Sequence, residues 1–219
     1  DLRAVDRAAC FARLRCESFR RGIFTEHGLL LDPAALARGL KRAALRRGVQ
    51  IFERTPVDAL ETIRGQRVEA RTPFGTVHAD RALLATGAYA HATPALRRFA
   101  FTAYPSALLS ERLGESAWAA IGWDGRFGVE DRRAFPFWLR PTPDGRGLFG
   151  GGEPVLSPIG PTPRRDRDAR QRARLETAFR ARFPALRELR FEQAWAGPAC
   201  GTADGLPVVR WLGGDRTLP

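Results

Sequence analysis

Apolar residues in the first half of the chain follow two spacings, one helical and one extended. In Arg3–Arg20 they recur at helical spacing among arginines, which predicts an amphipathic helix. A second helix is predicted between Asp32-Pro33 and Gly48. Aspartate caps free amide groups, proline suits the first helical position, and glycine commonly ends a helix.

Extended segments are predicted to follow the second helix. They are Val49–Glu53, Val57–Ile63, Val68–Thr72 and Thr76–Ala79.

The short apolar run Ala82–Ala85 predicts a buried strand, and its end is a candidate ligand-binding position. Thr86-Gly87-Ala88 follows directly, and glycine there allows a sharp turn or the close approach of another group. Open α/β sheets bind ligands at such strand ends. An ordinary core strand followed by an ordinary turn is the alternative interpretation.

The second half of the chain is predicted to be mainly antiparallel. Phe99–Leu109 is predicted to be a strand, and Phe135–Arg140 and Leu148–Gly151 flank Asp144-Gly145, a strong hairpin signal. Pro154–Arg165 is rich in proline and glycine and is predicted to be a loop. A helix is predicted over Asp166–Phe183.

This order of elements, together with several short motifs, resembles the D-amino-acid-oxidase-like family of FAD-dependent oxidoreductases, which includes glycine oxidase and sarcosine oxidase. The motifs are G-L-L-L-D-P at 28–33, R-R-G-V-Q-I-F-E at 46–53, T-P-V at 55–57, L-L-A-T-G-A at 83–88, and F-E-Q-A-W-A-G-P-A-C-G-T-A-D-G-L-P at 191–207. The blocks F-W-L-R at 137–140, P-D-G-R at 143–146 and L-F-G-G-G at 148–152 resemble the gamma-glutamylputrescine oxidoreductase-like branch.

The resemblance implies an α+β chain in which segments of an α/β FAD-binding domain accompany an antiparallel substrate domain, whose sheet covers the flavin. The implied boundaries are an N-terminal helix and connecting strand at 1–28, part of the FAD-binding domain at 29–96, the substrate domain at 97–198, and a return to the FAD-binding domain at 199–219. The chain matches the central part of the family's length, and the absence of methionine also leads us to expect a segment of a longer protein.

The resemblance also implies FAD as cofactor and the residues that contact it. In the family the residue matching Val57 contacts the adenine side through its backbone, and the A-T-G turn closes over the dinucleotide. The implied cofactor-binding residues are Val57, Ala85, Thr86, Gly87, Ala88, Thr202, Asp204 and Gly205. For Val57 a place in the core, and for Thr202 and Asp204 ordinary turn chemistry, remain open alternatives.

The implied reaction is oxidation of a C–N bond in an amine or amino-acid-like substrate, with hydride transfer to the flavin. No acid–base pair or nucleophile stands out, so the catalytic residues are unknown, which agrees with chemistry carried by a cofactor. Glycine oxidase and its close relatives carry an arginine that holds the substrate carboxylate, and Ala199 takes that position here. An amine or gamma-glutamyl amine is therefore expected rather than a free amino acid.

Composition removes several other classes of function. The net charge is +12, but the arginines are spread along the chain and mixed with 24 acidic residues, so a nucleic-acid-binding stripe is not expected. Three cysteines without C-x-x-C spacing and three scattered histidines predict neither a disulfide framework nor a metal site. No apolar run is long enough to span a membrane, and a cytoplasmic location is expected.

Two observations keep a second hypothesis open. The chain contains no G-x-G-x-x-G loop to hold the phosphates of a dinucleotide, and it lacks the carboxylate-binding arginine at Ala199. A non-catalytic binding or scaffold module derived from the same fold is therefore the alternative. The sequence does not determine the oligomeric state.

Overall fold

The computed structural model describes residues 2–63, 67–123, 127–162 and 168–209. Its strands are β1 (Leu2–Val5), β2 (Gly22–Thr25), β3 (Ala59–Ile63), β4 (Arg67–Thr72), β5 (Gly75–Ala79), β6 (Phe101–Tyr104), β7 (Ser106–Arg112), β8 (Val129–Glu130), β9 (Phe137–Pro141), β10 (Arg146–Gly151), β11 (Val155–Ser157), β12 (Phe191–Ala196) and β13 (Ala199–Gly201). Its helices are α1 (Arg7–Arg13), α2 (Pro33–Arg46), α3 (Pro94–Arg97), α4 (Glu115–Ala120) and α5 (Ala169–Arg182), with 3-10 turns at Gly87–Ala92 and Pro184–Leu186. Helices and antiparallel sheets occur together, which confirms the α+β class.

The chain forms two compact units. The first, here the sheet unit, contains Asp1–Leu30 and Thr86–Pro219, and the second, the helix unit, contains Leu31–Ala85. The predicted functional boundaries at 1–28, 29–96, 97–198 and 199–219 stay a prediction.

In the helix unit, α2 precedes a three-stranded antiparallel sheet in the order β3-β4-β5. The Asp32 carboxylate caps α2 by accepting hydrogen bonds from the backbone N–H groups of Ala34 at 2.8 Å and Ala35 at 3.0 Å. Gly48 follows the helix with φ of 80°, a conformation that glycine adopts without strain. The predicted helix and both of its ends are confirmed.

Two predicted strands of the helix unit are wrong. Val49–Glu53 and Ala82–Ala85 form no ladder in the described residues. Ala82–Ala85 is not buried either, since Leu83 is 90% exposed. An apolar run gives a segment its tendency to extend, but a strand also needs a neighbouring edge that supplies hydrogen bonds. The described residues supply no such edge to these two segments.

The sheet unit is built on a five-stranded antiparallel sheet in the order β12-β7-β10-β9-β8. Helix α5 packs on one face, where Phe179 meets Phe149 of the central strand edge-on, with ring centroids 5.4 Å apart. The Asp168 carboxylate caps α5 through the N–H of Arg170 at 2.9 Å. The predicted hairpin is confirmed as β9 and β10, and the predicted helix is confirmed from Ala169, while its first predicted turn lies partly outside the described residues.

Three sequence-based predictions need correction in the sheet unit. Phe99–Leu109 is not one strand: it contains β6 and the start of β7, which belong to different sheets on either side of Pro105. Proline has no backbone N–H, so a ladder is readily interrupted there. The predicted loop over Pro154–Arg165 contains β11, which pairs with β6, and β13 pairs with the other side of β6.

The third correction concerns the predicted helix Arg3–Arg20. The structure has β1 first, paired antiparallel with β2, and then the short helix α1. The Asp6 carboxylate accepts a hydrogen bond from the N–H of Ala9 at 2.8 Å, so the helix begins after Asp6 and not before it. The start of the helix is thus determined by the capping residue Asp6, although the helical spacing of apolar residues begins before it.

We expect replacement of Phe179 by alanine to lower the free energy of unfolding of the sheet unit by about 3–5 kcal/mol, because the ring is almost fully buried between α5 and the sheet. Urea unfolding followed by tryptophan fluorescence measures this loss. Ile159→Ala is the control, since Ile159 is 74% exposed and its loss changes stability by less than ~0.5 kcal/mol. Equal effects of the two substitutions would contradict the assignment of this core.

Candidate active site

The A-T-G turn opens the sheet unit with an exposed backbone. Thr86 and Gly87 are exposed, whereas Ala88 is buried within the 3-10 turn Gly87–Ala92. Gly87 has φ of 53°, and a Cβ there would have no heavy atom within 4 Å. The positive φ explains why glycine is needed, and the open space leaves this stretch of backbone accessible to a ligand.

The 3-10 turn is attached to the small sheet through its own backbone. The hydroxyl of the buried Thr102 in β6 donates a hydrogen bond to the carbonyl of Ala88 at 3.1 Å. The turn packs against both β6 and β13. Since Thr202 directly follows β13, the structure brings the segment at Thr86–Ala88 into the same part of the sheet unit as the start of the segment Thr202–Gly205.

The segment Thr202–Gly205 forms a hydrogen-bonded turn. The Asp204 carboxylate accepts from the N–H of Leu206 at 3.0 Å, and the Thr202 hydroxyl donates to the carbonyl of Leu206 at 2.8 Å. The N–H of Gly205, which has φ of 72°, donates to the carbonyl of Thr202 at 3.2 Å. The hydrogen bond from Leu206 is the main reason that the pKa of Asp204 lies below its ordinary value, and Thr202 acts in the same direction.

This geometry bears on the two interpretations of Thr202 and Asp204. Both side chains form hydrogen bonds within the turn, and these bonds alone explain why threonine and aspartate occur at the two positions. A role in cofactor binding for Thr202, Asp204 and Gly205 stays a prediction, with the backbone as the part left to contact a ligand.

Val57 and Ala85 belong to the helix unit. Val57 is 56% exposed and Ala85 is also exposed, so the alternative of a core place for Val57 is not what the structure shows. Both lie outside regular secondary structure. Their predicted contacts with FAD stay predictions.

The face of the five-stranded sheet opposite α5, here called the open face, carries a different set of side chains from the core face. Strand residues alternate between faces, so the register determines which residues it holds. One row across the sheet is Gln193, Leu109, Leu148 and Arg140, and the next is Trp195, Ala107, Gly150 and Trp138.

Burial separates the two faces within β9 but not across the whole sheet, since Leu148 and Ala107 on the open face are only 6% and 7% exposed. In β9, Leu139 faces α5 and is 5% exposed, whereas its neighbours Trp138 and Arg140 on the open face are half-buried. Trp195 is 42% exposed, so it is not a core tryptophan. The open face thus presents partly exposed aromatic side chains beside buried aliphatic ones.

The three consecutive glycines Gly150, Gly151 and Gly152, at and just after the end of β10, leave room for neighbouring residues to pack closely. A Cβ at Gly150 would lie 2.2 Å from Cζ2 of Trp138, and a Cβ at Gly151 would lie 1.9 Å from the carbonyl oxygen of Pro136. The indole ring of Trp138 therefore lies directly over the backbone of Gly150. These glycines allow β9 and its side chains to approach β10, and they do not form a phosphate-binding loop.

The sequence did not identify Trp138 and Arg140 as residues of the open face. The motif F-W-L-R at 137–140 marked them only as part of a resemblance, because strand alternation alone does not say which face α5 covers. The apolar residues on α5 and the glycine opposite Trp138 were the signals that could have identified their face.

The model of the family FAD dependent oxidoreductase matches residues 1–217 of the chain. The chain belongs to this family. FAD is the cofactor of the family, and its reactions are oxidoreductions.

Curated relatives agree with the family. A probable oxidoreductase OrdL from Rhizobium meliloti is 28% identical over 220 residues, covering 94% of this chain and 46% of the relative. A protein of the same name from Haemophilus influenzae is 27% identical over 192 residues, covering 85% of this chain and 41% of the relative. The chain thus spans less than half the length of these curated relatives.

Solved structures share the fold. Glycine oxidase from Geobacillus kaustophilus superposes with a TM-score of 0.74 at 16% identity, covering 94% of this chain and 53% of that one. L-proline dehydrogenase from P. horikoshii gives a TM-score of 0.74 at 16% identity, covering 97% of this chain and 56% of that one.

The described residues contain neither a metal cluster nor a helix that could cross a membrane. Among residues 2–63, 67–123, 127–162 and 168–209, no cluster of three histidine, cysteine or acidic side chains has the arrangement of a metal site. In the same ranges, none of the helices combines the length and hydropathy that crossing a bilayer requires.

The turn at Asp204 gives a prediction about pH. Because the folded pKa is depressed, the stabilising hydrogen bond is complete above the ordinary aspartate pKa of about 4 and is lost as pH falls through the lower folded pKa. We expect the amide resonance of Leu206 in an NMR titration to shift with a midpoint below ~4. Asp204→Asn should abolish this titration, and an unchanged titration in the variant would rule out Asp204 as its source.

Proposed function

We propose that this chain is part of an FAD-dependent oxidoreductase that oxidises a C–N bond of an amine or amino-acid-like substrate, with hydride transfer to the flavin. The family match over residues 1–217 is the observation that carries the proposal. The printed names of two structural neighbours, glycine oxidase and L-proline dehydrogenase, support a nitrogen-bearing substrate. Because the chain covers only part of its relatives, the activity is proposed for the whole protein.

The residues present fit part of an FAD molecule. The accessible backbone around Gly87, in a conformation that needs glycine, supports close approach of a flat or extended group. We propose Val57, Ala85, Thr86, Gly87, Ala88, Thr202, Asp204 and Gly205 as the cofactor-binding residues that this chain supplies. The phosphates require a glycine-rich loop at a helix start, and none of the 219 residues forms a G-x-G-x-x-G sequence.

The cofactor and the protein have different roles in the proposed reaction. FAD, when bound, is the electron acceptor of the oxidation. The open face contributes apolar and aromatic surface from Leu109, Trp138 and Trp195, which would exclude water from a bound substrate and limit its orientations. No general base is assigned among these residues.

The substrate proposed is an amine or gamma-glutamyl amine. Ala199 supports this proposal, since a methyl group cannot bind a carboxylate as an arginine does. Cysteine usage supports a cytoplasmic location, because the sequence has no disulfide spacing. The alternative is a non-catalytic binding module, which the missing phosphate loop favours.

We expect the 219-residue chain, purified alone, to retain no FAD, because its sequence has no G-x-G-x-x-G loop to hold the phosphates. The complete gene product should purify with bound flavin. Visible absorbance of the two preparations, followed by release and quantification of the nucleotide, measures the difference. A yellow preparation of the 219-residue chain would contradict the expected dependence on a phosphate loop.

The complete gene product also separates the enzyme from the binding module. Mixed anaerobically with primary and secondary amines, an oxidoreductase loses its oxidised flavin absorbance at a rate that saturates with amine concentration. A complete protein that holds no flavin, or holds flavin that no amine reduces, would favour the module.

A further inference from the structure

A cavity lies between the start of α5 and the face of the five-stranded sheet that α5 covers. Its volume is about 240 Å³, which corresponds to roughly eight water molecules and leaves room for a small organic molecule. Small side chains create this space, because Ser106 of β7 stands opposite Ala196 of β12 and Ala169 is the first residue of α5. Helix and sheet supply a lining that includes Ser106, Asp168, Ala169, Arg172, Leu175 and Ala196.

Ser106 brings an unused hydroxyl group to this cavity. It is one of four buried polar residues in the described part of the chain. The hydroxyls of the other three, Thr102, Ser110 and Ser157, each donate a hydrogen bond to a backbone carbonyl, at 3.1, 2.6 and 2.6 Å respectively. Ser106 is 8% exposed, and its hydroxyl forms no hydrogen bond with any described residue. Buried hydroxyls are normally hydrogen-bonded, so this one is available to a molecule in the cavity.

The two charged residues of the lining differ in how far their charge is compensated. The guanidinium of Arg172 donates from Nε to Glu176 at 2.8 Å and from Nη2 to the carbonyl of Phe191 at 3.0 Å. The Asp168 carboxylate accepts the N–H groups of the first helical turn through Oδ1 alone, and among the described residues it forms no ion pair. A negative charge with one oxygen still available therefore stands at the cavity, which favours a cation there.

From these observations we infer that the cavity is a binding site for a small organic ammonium ion. Its N–H groups donate to the carboxylate of Asp168 and to the hydroxyl of Ser106, and its alkyl part contacts Ala169, Leu175 and Ala196. The cavity lies on the side of the sheet opposite the open face. The inference is therefore independent of the substrate surface and of the proposed reaction.

The test uses the complete gene product and tert-butylammonium chloride as the probe. This amine has no hydrogen on the carbon that bears nitrogen, so it cannot be oxidised to an imine whatever reaction the protein performs. Saturation-transfer NMR titrations at constant ionic strength give its Kd. tert-Butanol has nearly the same shape without the charge, and we expect it to bind at least tenfold more weakly.

Two variants test the polar groups of the cavity. Asp168→Asn removes the charge but keeps the helix cap, since asparagine caps as well as aspartate, and it should raise the Kd of the ammonium probe at least about tenfold. Ser106→Ala should raise it about fivefold. Because its hydroxyl has no partner among the described residues, Ser106→Ala should leave the thermal unfolding temperature unchanged.

Asp6→Asn is the matched control, because Asp6 caps α1 in the same way and does not line the cavity. It should leave the Kd unchanged. Saturable binding that Asp168→Asn and Ser106→Ala both weaken supports the inference. It is wrong if the probe does not bind saturably, if these two variants bind it as the unaltered protein does, or if tert-butanol binds equally well.

Discussion

The packing of α5 on one face of the five-stranded sheet determines the rest of the sheet unit. Phe179 touches Phe149, Phe183 and Phe191, with ring centroids between 5.1 and 5.4 Å apart. Side chains alternate along a strand, so when the aromatic rings of β10 and β12 lie on the face covered by α5, the adjacent residues of the same strands lie on the opposite face. The position of Trp138, Arg140 and Trp195 on an open face is thus a consequence of how the core is filled.

Local chemistry made much of the fold predictable. Asp32, Pro33 and Gly48 specify the ends of α2 through groups within a few residues, and Asp144-Gly145 specifies a hairpin in the same way. Long-range pairing was not predictable. Ala82–Ala85 has the composition of a buried strand, yet burial depends on a neighbouring edge that no feature of those four residues encodes.

In the candidate site, too, features set by local sequence could be predicted, whereas features set by pairing between strands could not. The need for glycine at Gly87 followed from its local sequence, and the positive φ agrees. The hydrogen bonds within Thr202–Leu206 could be anticipated as turn chemistry, which accounts for Thr202 and Asp204 without a ligand. Trp138 and Arg140 became visible only through the register of β9 against β10, a relationship between strands and not a property of either.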